Sequence, residues 1–203
     1  LSLGGKIDES LQVMEDIMRL SEQTGDPGLQ LTTESTMAWL LNLAGRLDEG
    51  VAFANRAIAR EPRNPRAGSE IAGFSPYIQA FPFKAMSLQN LGRYDEAILC
   101  LEKAINLARA HGDQEVLGWA SNSYAFIELG TGKDFGALGH SRQGLEIAEK
   151  SGSGVSRVMA RWGVAMAHMV RKDGEAARQI YEEARVISRV GRAAVFAQPS
   201  LLS

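Results

Sequence analysis

The side chains best suited to chemistry in this sequence are one cysteine and three histidines, Cys100, His111, His140 and His168. A nucleophilic or metal site needs such groups at spacings that bring them together in the fold. Here they lie in separate segments, and none forms a metal-binding spacing with another or with a pair of carboxylates. His168 falls at a helix-packing position and Cys100 beside an apolar helical stripe, which favours structural roles for both.

Two further patterns resemble catalytic motifs but lack their essential parts. Gly130-Thr131-Gly132-Lys133 has no glycine five positions before Gly132, and Asp134 stands where a phosphate loop has Ser or Thr. The acidic pairs Asp48-Glu49 and Asp95-Glu96 fall in first turns of predicted helices, where the helix dipole favours negative charge. The sequence therefore predicts a protein that is not an enzyme and that uses no cofactor or metal.

Composition narrows the class of protein further. The chain has 203 residues, of which 45% are hydrophobic and 23% charged, which is enough for a folded core. Its formal net charge of −2 provides no cationic field for direct binding of nucleic acid or an anionic membrane. No apolar run reaches the roughly 18 residues of a membrane span. Because a single cysteine excludes an intrachain disulfide framework, we expect a cytoplasmic location.

A glycine-containing turn recurs along the chain. In four turns a glycine precedes a basic residue and an acidic first turn; these glycines are Gly5, Gly45, Gly92 and Gly132. In the fifth turn Lys172 stands at the position of the glycine. The five turns are separated by 40, 47, 40 and 40 residues. After Gly92, small or apolar residues follow the spacing of one helical face, namely Tyr94, Ala97, Ile98, Leu101, Ala104, Ile105 and Ala108. Recurrence at a fixed period is typical of a solenoid.

These features resemble the tetratricopeptide repeat family, whose repeats place small residues where two helices cross. In the first helix of each repeat the matching residues are Ala38, Ala85, Ala125 and Ala165. In the second helix they are Gly50, Ala97, Ala137 and Ala177, followed by Ala57, Ala104, Gly144 and Ala184. The usual period is about 34 residues, so this chain is similar to the long-repeat arrays of bacterial signalling proteins, such as nucleotide cyclases and ATP-dependent transcription activators.

The resemblance implies an all-α fold, a right-handed α-solenoid of antiparallel helix hairpins. We expect a helix over 7–23 and complete hairpins over 29–61, 66–111, 115–151 and 155–190, which gives four repeats after a half repeat. Residues 1–190 would form one domain of a larger protein, and 191–203 a tail or the start of a further helix. The seven extra residues in Pro62–Tyr77 either extend a helix by two turns or, as Pro76 and Pro82 suggest, form an irregular lead-in.

In the family geometry, four positions of each first helix face the concave groove. They lie 6 and 3 residues before the small residue and 1 and 4 after it. The candidate binding residues among them are Trp39, Asn42, Met86, Gln89, Trp119, Asn122, Phe126, Trp162 and Met166. A row of aromatic and methionine side chains suits an apolar peptide or an amphipathic helix. The same row is also compatible with internal packing, if the long helices close the groove.

Three functions remain open from the sequence. The first is a protein-interaction or regulatory module within a multidomain bacterial signalling or transcription-regulating protein, with a protein or peptide partner. The second is a sensor that binds a small ligand or peptide in the groove, and the third is an enzyme of unrecognised type. Self-association through the ends of the array is also expected, because an array without polar end repeats exposes apolar surface.

Overall fold

The computed structural model describes residues 6–132, 136–151 and 154–190. Within these ranges the chain forms ten α-helices in the order expected for stacked hairpins. They are α1 (Ile7–Thr24), α2 (Pro27–Leu43), α3 (Leu47–Ala59), α4 (Ser69–Ala72), α5 (Pro76–Asn90), α6 (Tyr94–His111), α7 (Gln114–Thr131), α8 (Ala137–Ser151), α9 (Gly154–Val170) and α10 (Gly174–Val190). The predicted all-α solenoid fold is confirmed. The predicted tail over 191–203 lies outside the described residues.

The recurring turns end the first helix of each hairpin by the same device. Gly45, Gly92 and Gly132 have φ of +75°, +76° and +62°, the left-handed conformation that closes a helix and that glycine adopts without a steric penalty. Lys172 takes the same conformation in the last hairpin, with φ of +61°. The turn geometry is therefore preserved even where the glycine is missing.

The hairpins stack so that their first helices form one layer. Successive first helices α2, α5, α7 and α9 pack on one another, and each second helix packs on its own first helix and on the following one. In the described ranges, successive second helices share no comparable packing. Since first helices lie closer together than second helices, the array bends toward the first-helix side.

Small residues occupy the crossings, as the sequence predicts. Ala38, Ala57, Ala104 and Ala125 are fully buried, and a β-carbon at Gly50 would lie 3.1 Å from the Ala38 carbonyl oxygen. Contacts this short leave no room for a larger side chain. The repeating small positions therefore set the distance between helices.

Gly144 in α8 offers a direct test of this close approach. A β-carbon there would lie 2.8 Å from the Gly118 carbonyl oxygen on α7, so we expect Gly144→Ala to destabilise the fold by about 1–3 kcal/mol. Gly139 in the same helix has open space at that position, and Gly139→Ala should stabilise by about 0.4–1 kcal/mol. Urea denaturation followed by circular dichroism measures both changes. Shifts of the same sign would contradict the contact.

The connector between α3 and α5 follows the irregular alternative. It contains only the short α4, bounded by Gly68 and Gly73 at φ of +83° and +81°, and α5 begins at Pro76. The hairpin expected to start at 66 therefore starts ten residues later, because these glycines and the proline interrupt the helix. The sequence-based assignment of Pro82 to the irregular lead-in was wrong: Pro82 lies inside α5 and is buried.

Backbone packing and hydrogen bonds fix the connector in place. A β-carbon at Gly68 would lie 2.7 Å from the Gly28 carbonyl oxygen, so the connector backbone touches the start of α2 directly. The Ser75 amide donates to Asp113 Oδ2 at 2.6 Å, and the Val116 amide donates to Asp113 Oδ1 at 3.1 Å. One carboxylate thus joins the end of the connector to the start of α7.

Candidate binding surface

The sixteen groove-facing positions predicted from the repeat lie on the four first helices, and we call them the inner wall. They are Thr32, Ser35, Trp39, Asn42, Gln79, Pro82, Met86, Gln89, Trp119, Asn122, Phe126, Leu129, Met159, Trp162, Met166 and Met169. None of these side chains carries a charge. A segment bound here would therefore find apolar and neutral polar contacts alone.

The wall residues that directly follow the small residue of each first helix are partly exposed. Trp39, Met86 and Phe126 are half-buried, and Met166 is buried. Trp119 and Trp162, which lie before the small residues, are half-buried too, as is Gln89. These side chains combine packing with a remaining accessible face, so the use of this row as a binding surface stays a prediction.

Aromatic contacts link the wall across α2, α5 and α7. The Trp39 ring stacks on Phe83 of α5, with ring centroids 6.1 Å apart, and Met86 and Trp119 pack in the same apolar cluster. Trp119 is also covered by Phe74 of the connector, with ring centroids 5.3 Å apart, and its Nε1 donates to Ser156 Oγ at 2.8 Å. In this half of the wall the protein's own side chains occupy much of the aromatic surface.

The part of the wall that α9 and the end of α7 form includes two exposed apolar side chains. Phe126 and Trp162 meet edge to face, with ring centroids 5.3 Å apart. One turn beyond Phe126, Leu129 is 44% exposed, and two turns beyond Trp162, Met169 is 37% exposed. The corresponding residues of the first two repeats are polar, Asn42 and Gln89. At the position four residues after the small residue, the wall therefore changes from polar to apolar along the array.

The two predicted asparagines take part in helix packing. Asn42 Nδ2 donates to Ser87 Oγ at 3.3 Å, which joins α2 to α5. Asn122 is buried where α7, α8 and α9 meet, and a β-carbon at Gly144 or Gly163 would lie 2.9 Å from its side chain. Both amides are thus placed between helices, with little surface left for a partner.

Two first helices carry an ion-paired residue four positions before the small residue, Glu34 in α2 and Arg161 in α9. Glu34, only 2% exposed, binds Arg60 through two hydrogen bonds of 2.5 and 2.9 Å and lies 3.0 Å from Arg56. The hydrogen bond to Glu34 raises the pKa of the Arg60 guanidinium. In the last repeat the signs are reversed, because Arg161 stands in the register of Glu34 and pairs with Glu149 and Glu183. These ions pair within the fold.

The residues considered for chemistry have structural contacts. The His140 ring stacks on Tyr124 at 4.5 Å, and burial raises the pKa of the Tyr124 hydroxyl to about 12. His168 lies 3.2 Å from Asp173, and burial raises the pKa of the Cys100 thiol. Over the described ranges, no three metal-binding side chains gather. Gly132 ends α7, while Lys133 and Asp134 fall outside the described residues.

Cavities between the described helices are small. One lies between α1, α2 and α3 beside Glu34, and one between α7, α8 and α9 beside Asn122. Neither has room for more than a water molecule. The hypothesis of a sensor that binds a small ligand or peptide in the groove stays a prediction. No helix in the part of the chain described here is long and apolar enough to cross a lipid bilayer.

Sequence reasoning missed two aromatic residues that shape the wall, Phe74 and Phe83. Phe83 lies one position beyond the buried Pro82, at a register that the family geometry does not assign to the groove. Phe74 belongs to the connector, which has no counterpart in the other repeats. Its contact with Trp119 depends on how the connector folds back, so no periodic signal indicates it.

Comparison with known proteins agrees with this architecture. A family model described as tetratricopeptide repeat matches residues 82–111, from within α5 to the end of α6. Two crystal structures of a Podosopora anserina protein named as a kinesin light chain with nearly identical TPR-like repeats are similar in fold. One, a single-substitution variant, is 17% identical with a TM-score of 0.58 and covers 94% of this chain and 90% of that one. The other is 18% identical with a TM-score of 0.55, over 93% and 90%. Comparison with the curated proteins gives no match.

Proposed function

We propose that this chain, a helical solenoid similar in fold to tetratricopeptide-repeat structures, is a protein-binding module whose inner wall receives a segment of a partner protein. Repeats of this kind generally mediate protein–protein interaction. One observation carries the proposal: an uncharged row of half-exposed aromatic and methionine side chains, Trp39, Met86 and Phe126, runs over consecutive first helices. Aromatic residues and methionine are enriched in interfaces because they bury large apolar areas.

The energetics of this wall favour a bound segment. Burying apolar surface contributes about 25 cal/mol per Å², and no wall side chain adds the cost of desolvating an ion. Methionine is flexible and polarisable, so it adapts to partners of different shape. A role within a signalling or transcription-regulating protein, a cytoplasmic location and a single domain over 1–190 stay predictions from the repeat length and composition.

Self-association through the first helix also stays a prediction. α1 packs on α2, and in the described residues no helix covers its other side, where Val13 and Leu20 are exposed. Ile17, which lies between them on the same face, is half-buried. This surface is separate from the inner wall, so a partner can bind the wall whether or not α1 is covered.

Selection of peptides from a displayed library of random 16-residue sequences tests the proposal. Selected peptides should bind at least about tenfold more weakly to Met86→Ser, to Leu129→Ser or to both, since a central apolar contact is worth about 1–2 kcal/mol. Leu99→Ser is the matched control, because Leu99 is 64% exposed on the second helix α6. It should leave binding unchanged.

Circular dichroism of each variant shows whether the fold is kept. Peptides that lose affinity with Leu99→Ser, and keep it with both wall substitutions, would place the binding surface on the second helices. That result would overturn the proposal. A loss with one wall substitution alone leaves the proposal standing and identifies the half of the wall in use.

A further inference from the structure

Two apolar side chains of the inner wall are exposed, Leu129 on α7 and Met169 on α9. We call Phe126, Leu129, Trp162 and Met169 the α7–α9 patch. Leu129 follows Phe126 by one helical turn and Met169 follows Trp162 by two, so each pair shares a helix face, and the Phe126 and Trp162 rings join the two helices at 5.3 Å. The four side chains therefore lie on facing sides of two neighbouring helices.

The first half of the wall offers less to a partner. There Trp39 stacks on Phe83 and Asn42 is hydrogen-bonded to Ser87; next to them, Trp119 of α7 lies against Phe74. Apolar area that is already buried within the chain contributes nothing further to association. The exposure of Leu129 and Met169 therefore favours the second half of the wall for a partner.

Charge restricts what the patch accepts. No wall position carries an acidic or basic side chain, and at the end of α9 Arg171 is directed toward Glu128, with 3.8 Å between Nε and Oε1. A charged side chain pressed onto the patch would lose hydration, and none of the four patch side chains would supply a counter-ion, which is costly. The partner must therefore present uncharged side chains here.

The connector supplies an internal example of the kind of contact that suits this wall. Phe74 lies between α4 and α5, outside any helix, and its ring sits 5.3 Å from the Trp119 ring at an interplanar angle of 53°. An aromatic side chain from an irregular segment thus packs on a wall tryptophan. Tilted aromatic pairs of this geometry are favourable beyond the area that they bury.

We propose that the α7–α9 patch binds a short segment of a partner protein that presents an aromatic side chain, and no charged one, to it. Four side chains are far fewer than the roughly 20–30 residues of a standard interface, so the patch suits a single segment. This inference rests on the proposed function, and it adds the place on the wall and the chemistry of the partner.

Methionine methyl groups give a direct test. The chain has seven methionines, so ¹³C-methyl labelling yields a small set of signals, with Met169 in the patch and Met86 in the first half of the wall. Two nine-residue peptides with blocked ends, identical except for a central Phe or Asp in a Ser/Gly background, are titrated into the full chain. The Phe peptide should shift Met169 and leave Met86 unmoved, and the Asp peptide should bind at least about tenfold more weakly.

Two variants locate the contact. Leu129→Ser should weaken the Phe peptide at least about fivefold, and Leu99→Ser, on α6, should not change it. Equal binding of the two peptides, shifts at Met86 without Met169, or no shift with the Phe peptide would each overturn the inference. If library peptides lose affinity with Met86→Ser alone, the proposed function holds and this inference fails.

Discussion

Leu101→Ala is expected to lower the free energy of unfolding by about 2–5 kcal/mol. Leu101 is 0% exposed in α6, a helix that packs against both α5 and α7, and it belongs to the main apolar cluster of the array. Alanine at this position removes buried methyl groups and leaves a cavity, because rigid neighbouring helices collapse only partly. The loss therefore includes the transfer free energy and the missing packing contacts.

Leu99→Ala, in the same helix, is the matched control. Leu99 is exposed to solvent, so the same truncation should change stability by about 0.5 kcal/mol or less. Urea denaturation of both variants, followed by helical circular dichroism, gives the comparison. Similar losses for the two would mean that the repeat register of α6 is wrong, since the two side chains would then share an environment.

Asp113→Ala is expected to cost about 2–4 kcal/mol, the second large effect. The buried Asp113 carboxylate accepts the Val116 amide as the N-cap of α7 and the Ser75 amide from the connector. Its removal loses the cap, worth about 0.5–2 kcal/mol, and leaves a buried amide unsatisfied, at about 1–3 kcal/mol. The Ser75 amide should also exchange its hydrogen faster, because the connector is released there.

Asp26→Ala provides the control for capping alone. Asp26 caps α2 by accepting the Leu29 amide at 2.8 Å, and it is exposed. The loss should be close to 1 kcal/mol. Thermal denaturation and hydrogen exchange of both variants separate the two contributions. Equal losses of stability for the two variants, together with unchanged hydrogen exchange of the Ser75 amide, would show that the connector does not depend on Asp113.

The repeat pattern was sufficient for the architecture. Short side chains such as Ala104 and Ala125, at a fixed distance from the turn glycines, predicted which helix faces meet, and both are fully buried. Most helix bounds agree within a few residues with the expected hairpins, except at the start of α5. There, the sequence alone could not decide between a continuous helix and an irregular lead-in. The contacts of the connector with α2 and α7 hold it in the irregular conformation.

The candidate site was less predictable than the fold. Repeat register placed Trp39, Met86 and Phe126 on one wall, but it gave no means of ranking their exposure. Asn42 and Asn122 share that wall by sequence position, yet each is buried between helices. Phe74 reaches Trp119 across 45 residues of sequence. Burial depends on what neighbouring helices and connectors cover, and that information is absent from a local pattern.

Apart from the connector and the start of α5, the amino-acid sequence by itself determined the helices, their turns and the faces that meet, because each depends on residues within one or two helical turns or on a period that repeats. Tertiary structure alone decided which part of the wall remains accessible. It placed Phe83 against Trp39 and Phe74 against Trp119, which are both half-buried, and left Leu129 and Met169 exposed. The physical reason is that accessibility is set by contacts between distant segments, whereas periodicity reports only the orientation of a residue on its own helix.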